Sequence, residues 1–252
     1  MPHREYVKLV PGADTAVLFL HGIVGTPRHF DSRLPLIHLV PEDWSVYSVL
    51  LPGHGGRVED FSASTMQHWK DYVWTTFDNL SRTHHRVILV GHSMGTLFAL
   101  QLAVEKGEQI PFLFLIAAPI CPQVSFAAVR HSLGLVFSRS PGRHEIQDAM
   151  FESGSVTLTK KFWKYLPWIP NLLALLAEAR RTKESLHQLR TETIVFQSHK
   201  DELVARRSKK YLQRCPCVRL FELAHSTHFY YNDSDTLLVQ QAFVDECNEV
   251  KA

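Results

Sequence analysis

Arg86-Val87-Ile88-Leu89-Val90-Gly91-His92-Ser93-Met94-Gly95-Thr96-Leu97-Phe98-Ala99-Leu100-Gln101-Leu102-Ala103 holds the decisive signal for the fold. Val87 to Val90 is a short apolar, β-branched run, the pattern of a strand covered on both faces. Thr96 to Ala103 has no breaker and begins a helix directly afterwards. Between them stands Gly91-His92-Ser93-Met94-Gly95, a G-x-S-x-G pattern in a strand–turn–helix setting. A serine at so sharp a turn takes a strained backbone conformation, and side chains at the flanking positions would clash as strand and helix approach. The turn predicts that the Ser93 hydroxyl stands above the carboxyl edge of a sheet, with the amides of the following helix directed toward it.

Working outward, similar runs recur at Thr15 to Leu20, Trp44 to Leu51, Pro111 to Ala117, Glu192 to Gln197 and Val218 to Leu223. Helical spacing fills the gaps. Ser64 or Thr65 is the expected cap of a helix through Trp69, Tyr72, Val73, Thr76 and Leu80, and Asp233 or Ser234 opens a final helix through Leu237, Val239, Phe243 and Val244. Strands alternating with helices predict a mostly parallel sheet with helices on both faces. Residues 122–190 break the rhythm, being far too long for a simple crossover. They divide the chain into a core of residues 1–121 and 191–252 and an inserted helical cap of residues 122–190, with a turn at Ser138 to Gly142. Long helices packed on the core are the alternative. Aromatic density around Phe162, Trp163, Tyr165 and Trp168 favours a lid or pocket wall.

A serine hydroxyl needs an imidazole base, and the base needs a carboxylate to orient it. An acyl-transfer intermediate also needs two preorganised N–H donors. His21-Gly22 follows the strand Ala16 to Leu20, which makes the Ile23 amide one candidate donor and the Met94 amide, directly after the serine, the other. Gly22 and His92 flank those amides and join Trp163 and Trp168 as expected substrate contacts. In strand–turn–helix hydrolases of this order the acid precedes the histidine. Asp201 lies just past the strand ending at Gln197, and the neighbouring Glu202 reads as surface charge. The loop Ala224-His225-Ser226-Thr227-His228 offers two imidazoles; His228, directly before Phe229-Tyr230-Tyr231 and the last helix, is preferred, and His225 is the alternative.

Composition excludes other classes. The 252 residues are 45% hydrophobic with a net charge of +2, and the densest basic cluster, Arg206-Arg207 with Lys209-Lys210, reads as a solvated helix face, so no nucleic-acid partner is expected. The greasiest stretch, Phe162 to Ala177, is broken by Lys164, Pro167, Pro170 and Asn171 and is shorter than the ~20 residues of a membrane span. Met1-Pro2-His3-Arg4 precedes no apolar run, and Cys121, Cys215, Cys217 and Cys247 are sparse for a disulfide framework. These features predict free thiols and a cytoplasmic protein. Cys215-Pro216-Cys217, His84-His85 and His225-x-x-His228 lack the usual metal spacing, so no metal is expected.

The set His21-Gly22 with Gly25, Leu51-Pro52-Gly53-His54-Gly55, Gly91-His92-Ser93-Met94-Gly95, Asp201 and Ser226-Thr227-His228 resembles the monoacylglycerol lipase and bacterial carboxylesterase group of α/β hydrolases. The likeness runs from about residue 15 to the end and is weakest through residues 122–190. It implies an α/β-hydrolase fold with a cap, catalytic Ser93, Asp201 and His228, an oxyanion hole of the Ile23 and Met94 amides, and no cofactor. The Ser-x-His form supports His228 over His225; the extra imidazole of His225 departs from the group. The implied activity is hydrolysis of a small-molecule carboxylic ester through an acyl-enzyme. A thioesterase, peptidase or acyltransferase would use the same machinery. A hydrolase-like binding protein would keep it without turnover.

Overall fold

The computed structural model describes residues 3–123, 154–157, 159 and 161–251. The predicted turn at Ser138 to Gly142 and the rest of residues 124–153 of the predicted cap lie outside these residues. Among the described residues seven strands form one sheet in the order β1-β3-β2-β4-β5-β6-β7: β1 Tyr6–Lys8, β2 Thr15–Leu20, β3 Ser45–Ser48, β4 Arg86–His92, β5 Phe112–Ile116, β6 Glu192–Ser198 and β7 Val218–Leu223. All pairings are parallel except that of β1 with β3. β1 was not foreseen, because three half-exposed residues carry no burial pattern. β3 is shorter than expected. The Val49 amide still reaches the Phe19 carbonyl at 3.2 Å, after which the chain turns away and the Leu51 amide donates to His21 Nε2 at 3.1 Å.

Helices cover both faces. α1 is Val58–Ser62, α2 Met66–Ser81, α3 Met94–Lys106, α4 Ile169–Ser185, α5 Arg207–Leu212 and α6 Asp233–Lys251. Thr65 caps α2, its hydroxyl accepting the His68 amide at 3.2 Å, and Met66, Trp69, Val73, Phe77 and Leu80 form the buried stripe. α3 is buried nearly all round because it lies between the sheet and α2 and α4. On the other face, Val239, Phe243 and Cys247 of α6 fall at helical spacing, with Phe243 against Phe19 and Phe114 at ring separations of 6.3 and 5.2 Å. None of the described helices is long and apolar enough to cross a membrane.

α4 lies inside the predicted insertion and packs on α2 and α3 through a buried polar network. The Gln101 amide donates to Glu178 and to Thr182 at 2.8 Å each, while Lys70 donates to the Gln101 carbonyl at 2.5 Å. Pro170 at its first turn suits a helix start, where the missing N–H has no partner to lose.

Candidate active site

Strand register assembles the site. Leu20 pairs with Gly91 and Gly91 with Leu115, so the chain leaves β2 and β4 side by side at the same edge. Ser198 pairs with Leu223, which brings the loops after β6 and β7 together beside them. Ser93 sits at the turn with φ +52°, a left-handed conformation that a non-glycine residue holds only under constraint. Its amide donates to the Ile116 carbonyl at 3.0 Å, and its carbonyl accepts the Thr96 amide at 2.9 Å. A Cβ at Gly95 would stand 2.1 Å from the Leu20 carbonyl oxygen and one at Gly22 2.8 Å from Ser93 Cβ, so both glycines are required by close approach.

The three distant side chains meet. His228 Nε2 lies 3.0 Å from Ser93 Oγ, and His228 Nδ1 lies 2.9 and 3.1 Å from the two Asp201 oxygens. Asp201 therefore sets the tautomer: Nδ1–H donates to the carboxylate and bare Nε2 accepts the Ser93 hydroxyl. Asp201 is itself fixed, one oxygen accepting the Leu203 and Val204 amides at 2.8 Å each. His228 is held by its backbone as well. Its carbonyl accepts from His92 Nε2 at 3.1 Å and from the Tyr231 hydroxyl at 3.2 Å, and its amide donates to Glu202 at 3.1 Å.

Glu202 corrects the expectation of surface charge: it is only 7% exposed and acts as acceptor for the His228 amide. The adjacent Asp201 drew attention away from it, and no periodicity marks a buried carboxylate in a loop. Asp235 was also missed. Its carboxylate accepts the His225 amide at 3.0 Å and the Ser226 hydroxyl at 2.6 Å, tying the His228 loop to the first turn of α6. His225 itself is exposed.

Among the described residues, His21, His29, His54, His92 and His228 crowd this edge, and of these His228 keeps its basicity. Burial lowers His29 to about 3 and His54 to about 4, and pushes His21 and His92 well below the ordinary value. Burial opposes protonation of His228 too, but the Asp201 charge, its hydrogen bond and the Glu202 charge outweigh it, leaving His228 above the ordinary value. The other rings are neutral hydrogen-bonding or packing groups. His29, for example, stacks on His92 at 3.7 Å.

A cavity of about 30 Å³ opens beside Ser93, lined by Gly22, Ile23, His92, Leu203, His228 and Phe229 among others. Gly22, Ile23 and His92 thus lie where expected, and Met94 opens α3 with an amide that has no partner four residues back within its own helix. Trp163 and Trp168 do not line this cavity. The Trp168 indole donates to Ser62 Oγ at 3.1 Å and its ring packs on Phe61 of α1 at 4.5 Å, while Trp163 is half-exposed. The Trp168 ring serves packing on α1, and Trp163 meets Phe162 at a ring separation of 5.5 Å. Among the described residues no three His, Cys, Asp or Glu side chains converge as a metal site, and all four cysteines are free.

A parallel sheet with a serine at the strand–helix turn and an acid and a histidine on its later loops defines the α/β-hydrolase architecture. Residues 17–241 match the profile of the Alpha/beta hydrolase family, and the chain belongs to that family. Curated relatives include a probable lysophospholipase, BODYGUARD 4, of Arabidopsis thaliana, 27% identical over 128 residues (47% of this chain and 28% of the relative). A putative esterase/lipase 2 of Mycoplasma pneumoniae is 28% identical over 142 residues (56% and 48%), so the chain spans less than half the length of either relative. Among solved structures, a protein described with the metagenome-derived lipolytic enzymes LipS and LipT superposes with a TM-score of 0.71 at 17% identity, covering 97% and 98% of the two chains. A monoacylglycerol lipase from Paleococcus ferrophilus gives 0.65 at 13% identity, covering 98% and 100%. At these identities the likeness is one of fold.

Proposed function

We propose that this chain is a serine hydrolase of carboxylic esters, a carboxylesterase or monoacylglycerol-lipase-like enzyme. The observation that carries the reading is the unbroken chain from Ser93 Oγ through the His228 ring to Asp201, at 3.0 and 2.9 Å. Esterase and lipase relatives support the same class of reaction. Ser93 attacks the ester carbonyl as His228 Nε2 takes its proton, and the Ile23 and Met94 amides hold the developing oxyanion. His228 then gives the proton to the leaving alcohol. Water repeats the sequence on the acyl-enzyme, returning acid and free Ser93. Residues 122–190 are read as one insertion that caps this edge, and a small-molecule ester as the substrate. Neither a metal nor a cofactor takes part in this scheme.

The test is covalent labelling with a fluorophosphonate probe together with turnover of p-nitrophenyl esters of increasing acyl length. The wild-type chain should label at Ser93 and hydrolyse at least one member of the series. Ser93→Ala should lose labelling and lower kcat at least about 10³-fold. Turnover that persists unchanged in Ser93→Ala would remove the proposal.

A further inference from the structure

The Leu51-Pro52-Gly53-His54-Gly55 segment has no part in the reaction described above, yet its imidazole is buried next to the oxyanion loop. That loop, Gly22 to Gly25, is held one peptide unit at a time. The Gly22 carbonyl accepts from His21 Nδ1 at 2.8 Å and from the Gly25 amide at 3.0 Å. In a trans peptide the carbonyl and the next amide point in opposite directions, so this directs the Ile23 N–H away from His21. The following unit is held by its amide, the Val24 N–H donating to His54 Nε2 at 3.1 Å. The unit after that is held by its carbonyl, Val24 O accepting both the Ser155 amide at 2.9 Å and the Ser155 hydroxyl at 3.1 Å.

Val24 has φ +56°, which a β-branched residue adopts only when its surroundings impose it. Without an acceptor for its amide and donors for its carbonyl, Val24 would relax and turn the Ile23 peptide with it. We propose that His54, from the loop after β3, and Ser155, from the insertion, are positioning residues that fix the Ile23 amide by gripping the peptide units on either side of Val24. The inference rests on the Ile23 and Met94 amides being the oxyanion donors of the function proposed above.

His54 suits the task. Its Nδ1–H donates to the Pro52 carbonyl at 3.3 Å, leaving Nε2 bare, and its ring is wedged between Phe61 and Trp69 at 5.1 and 5.2 Å. Burial, partly offset by its bonds to the Pro52 and Leu51 backbone, lowers its pKa to about 4, so Nε2 remains an acceptor throughout the range in which His228 works as a base. The Trp69 indole donates to the same Pro52 carbonyl at 2.8 Å and fixes the loop from below. Ser155 is buried, and Thr157 extends the grip, its amide donating to the Gly56 carbonyl at 3.0 Å.

The experiment compares His54→Leu, His54→Gln and Ser155→Ala with the wild-type chain on a p-nitrophenyl ester and on a trifluoromethyl ketone, whose serine adduct bears an oxyanion. Each variant is also labelled with a fluorophosphonate and melted thermally. His54→Leu should lower kcat about 10- to 100-fold with KM changed less than about threefold, and should weaken ketone inhibition by the same factor as kcat. His54→Gln, whose amide oxygen reaches the place of Nε2, should recover most of that loss. Ser155→Ala, which keeps the backbone donor, should lower kcat by about two- to fivefold, again in step with ketone affinity. The acid limb of the pH profile should stay in place in all three, since the His228 environment is untouched. Wild-type kcat and ketone affinity in His54→Leu would overturn the grip. If that variant does not fold, unchanged ketone affinity in Ser155→Ala would do so. A wild-type chain inert to fluorophosphonate would instead overturn the proposed function and the inference with it.

Discussion

At the carboxyl edge of the sheet, polar side chains are buried; along α4, apolar side chains are exposed. His21, His54, His92, Ser93, Glu202 and His228 are all less than 9% exposed, whereas Leu172, Leu173 and Leu176 are 47%, 61% and 51% exposed. Burying a polar group costs free energy unless it finds partners. At the edge the described groups mostly find them in one another, in backbone amides or in carbonyls, so the arrangement is rigid and specific. On α4 Ala179, Glu178 and Thr182 are buried and Ala174 and Leu175 pack against the core, while Leu172, Leu173 and Leu176 face away from it. The edge is therefore a place where a small chemical change should have a large effect on rate, and the outer face of α4 a place where a large chemical change should have a small effect on stability.

The largest effect should come from the tautomer of His228. Asp201→Asn keeps the shape of the acid but presents an amide that stabilises the wrong ring tautomer, and kcat should fall about 10⁴-fold with the melting temperature little changed. Steady-state kinetics beside a thermal melt checks this. A loss of less than about tenfold would mean that the 2.9 Å contact between the two groups is structural and that the edge is no more sensitive than the surface.

Glu202 gives a finer probe. His228 must be unprotonated to act as a base, so activity falls as pH drops through its pKa, and the raised value puts that acid limb above the ordinary ~6.5. Glu202 contributes to the rise through its charge and separately accepts the His228 amide. Glu202→Gln retains an acceptor and loses the charge, so the acid limb should move to lower pH with kcat at its plateau largely kept. Glu202→Ala loses both. It leaves a buried donor unpaired at a cost of about 1–3 kcal/mol and should also lower plateau kcat about tenfold. Complete pH–rate profiles for the two variants separate charge from position; identical profiles would reduce Glu202 to a packing residue.

The same contrast explains what could be read from the residues alone. The meeting of Ser93, His228 and Asp201 was legible because each follows a strand that ends at the carboxyl edge of the sheet, and because Gly22, Gly91 and Gly95 mark places where backbones approach too closely for a Cβ. The residues that hold them in place were not. Glu202 and Asp235 accept, and Ser155 donates to, backbone groups that are distant in sequence, and a partner for a backbone group many residues away leaves no periodicity. Trp163 and Trp168 were visible in the sequence, yet neither lines the cavity beside Ser93. Aromatic density is visible in the sequence, but whether it covers a pocket or packs on α1 depends on tertiary contact. The edge strand β1 escaped because its three residues are half-exposed.

The smallest expected effects lie on α4, where two substitutions on one helix test its two faces. Ala179 is 1% exposed and packs into the core shared with α3, so Ala179→Leu adds three carbon atoms to a filled space and should destabilise by about 1–3 kcal/mol. Leu173 projects away from that core, and Leu173→Ser should change stability by less than about 0.5 kcal/mol. Denaturant titration of both variants gives the difference directly, and Ser93 labelling by a fluorophosphonate should be retained in each. If Leu173→Ser proved as costly as Ala179→Leu, the outer face of α4 would be covered in solution by another part of the protein, and the contrast between a buried polar edge and an exposed apolar helix would shrink to the edge alone.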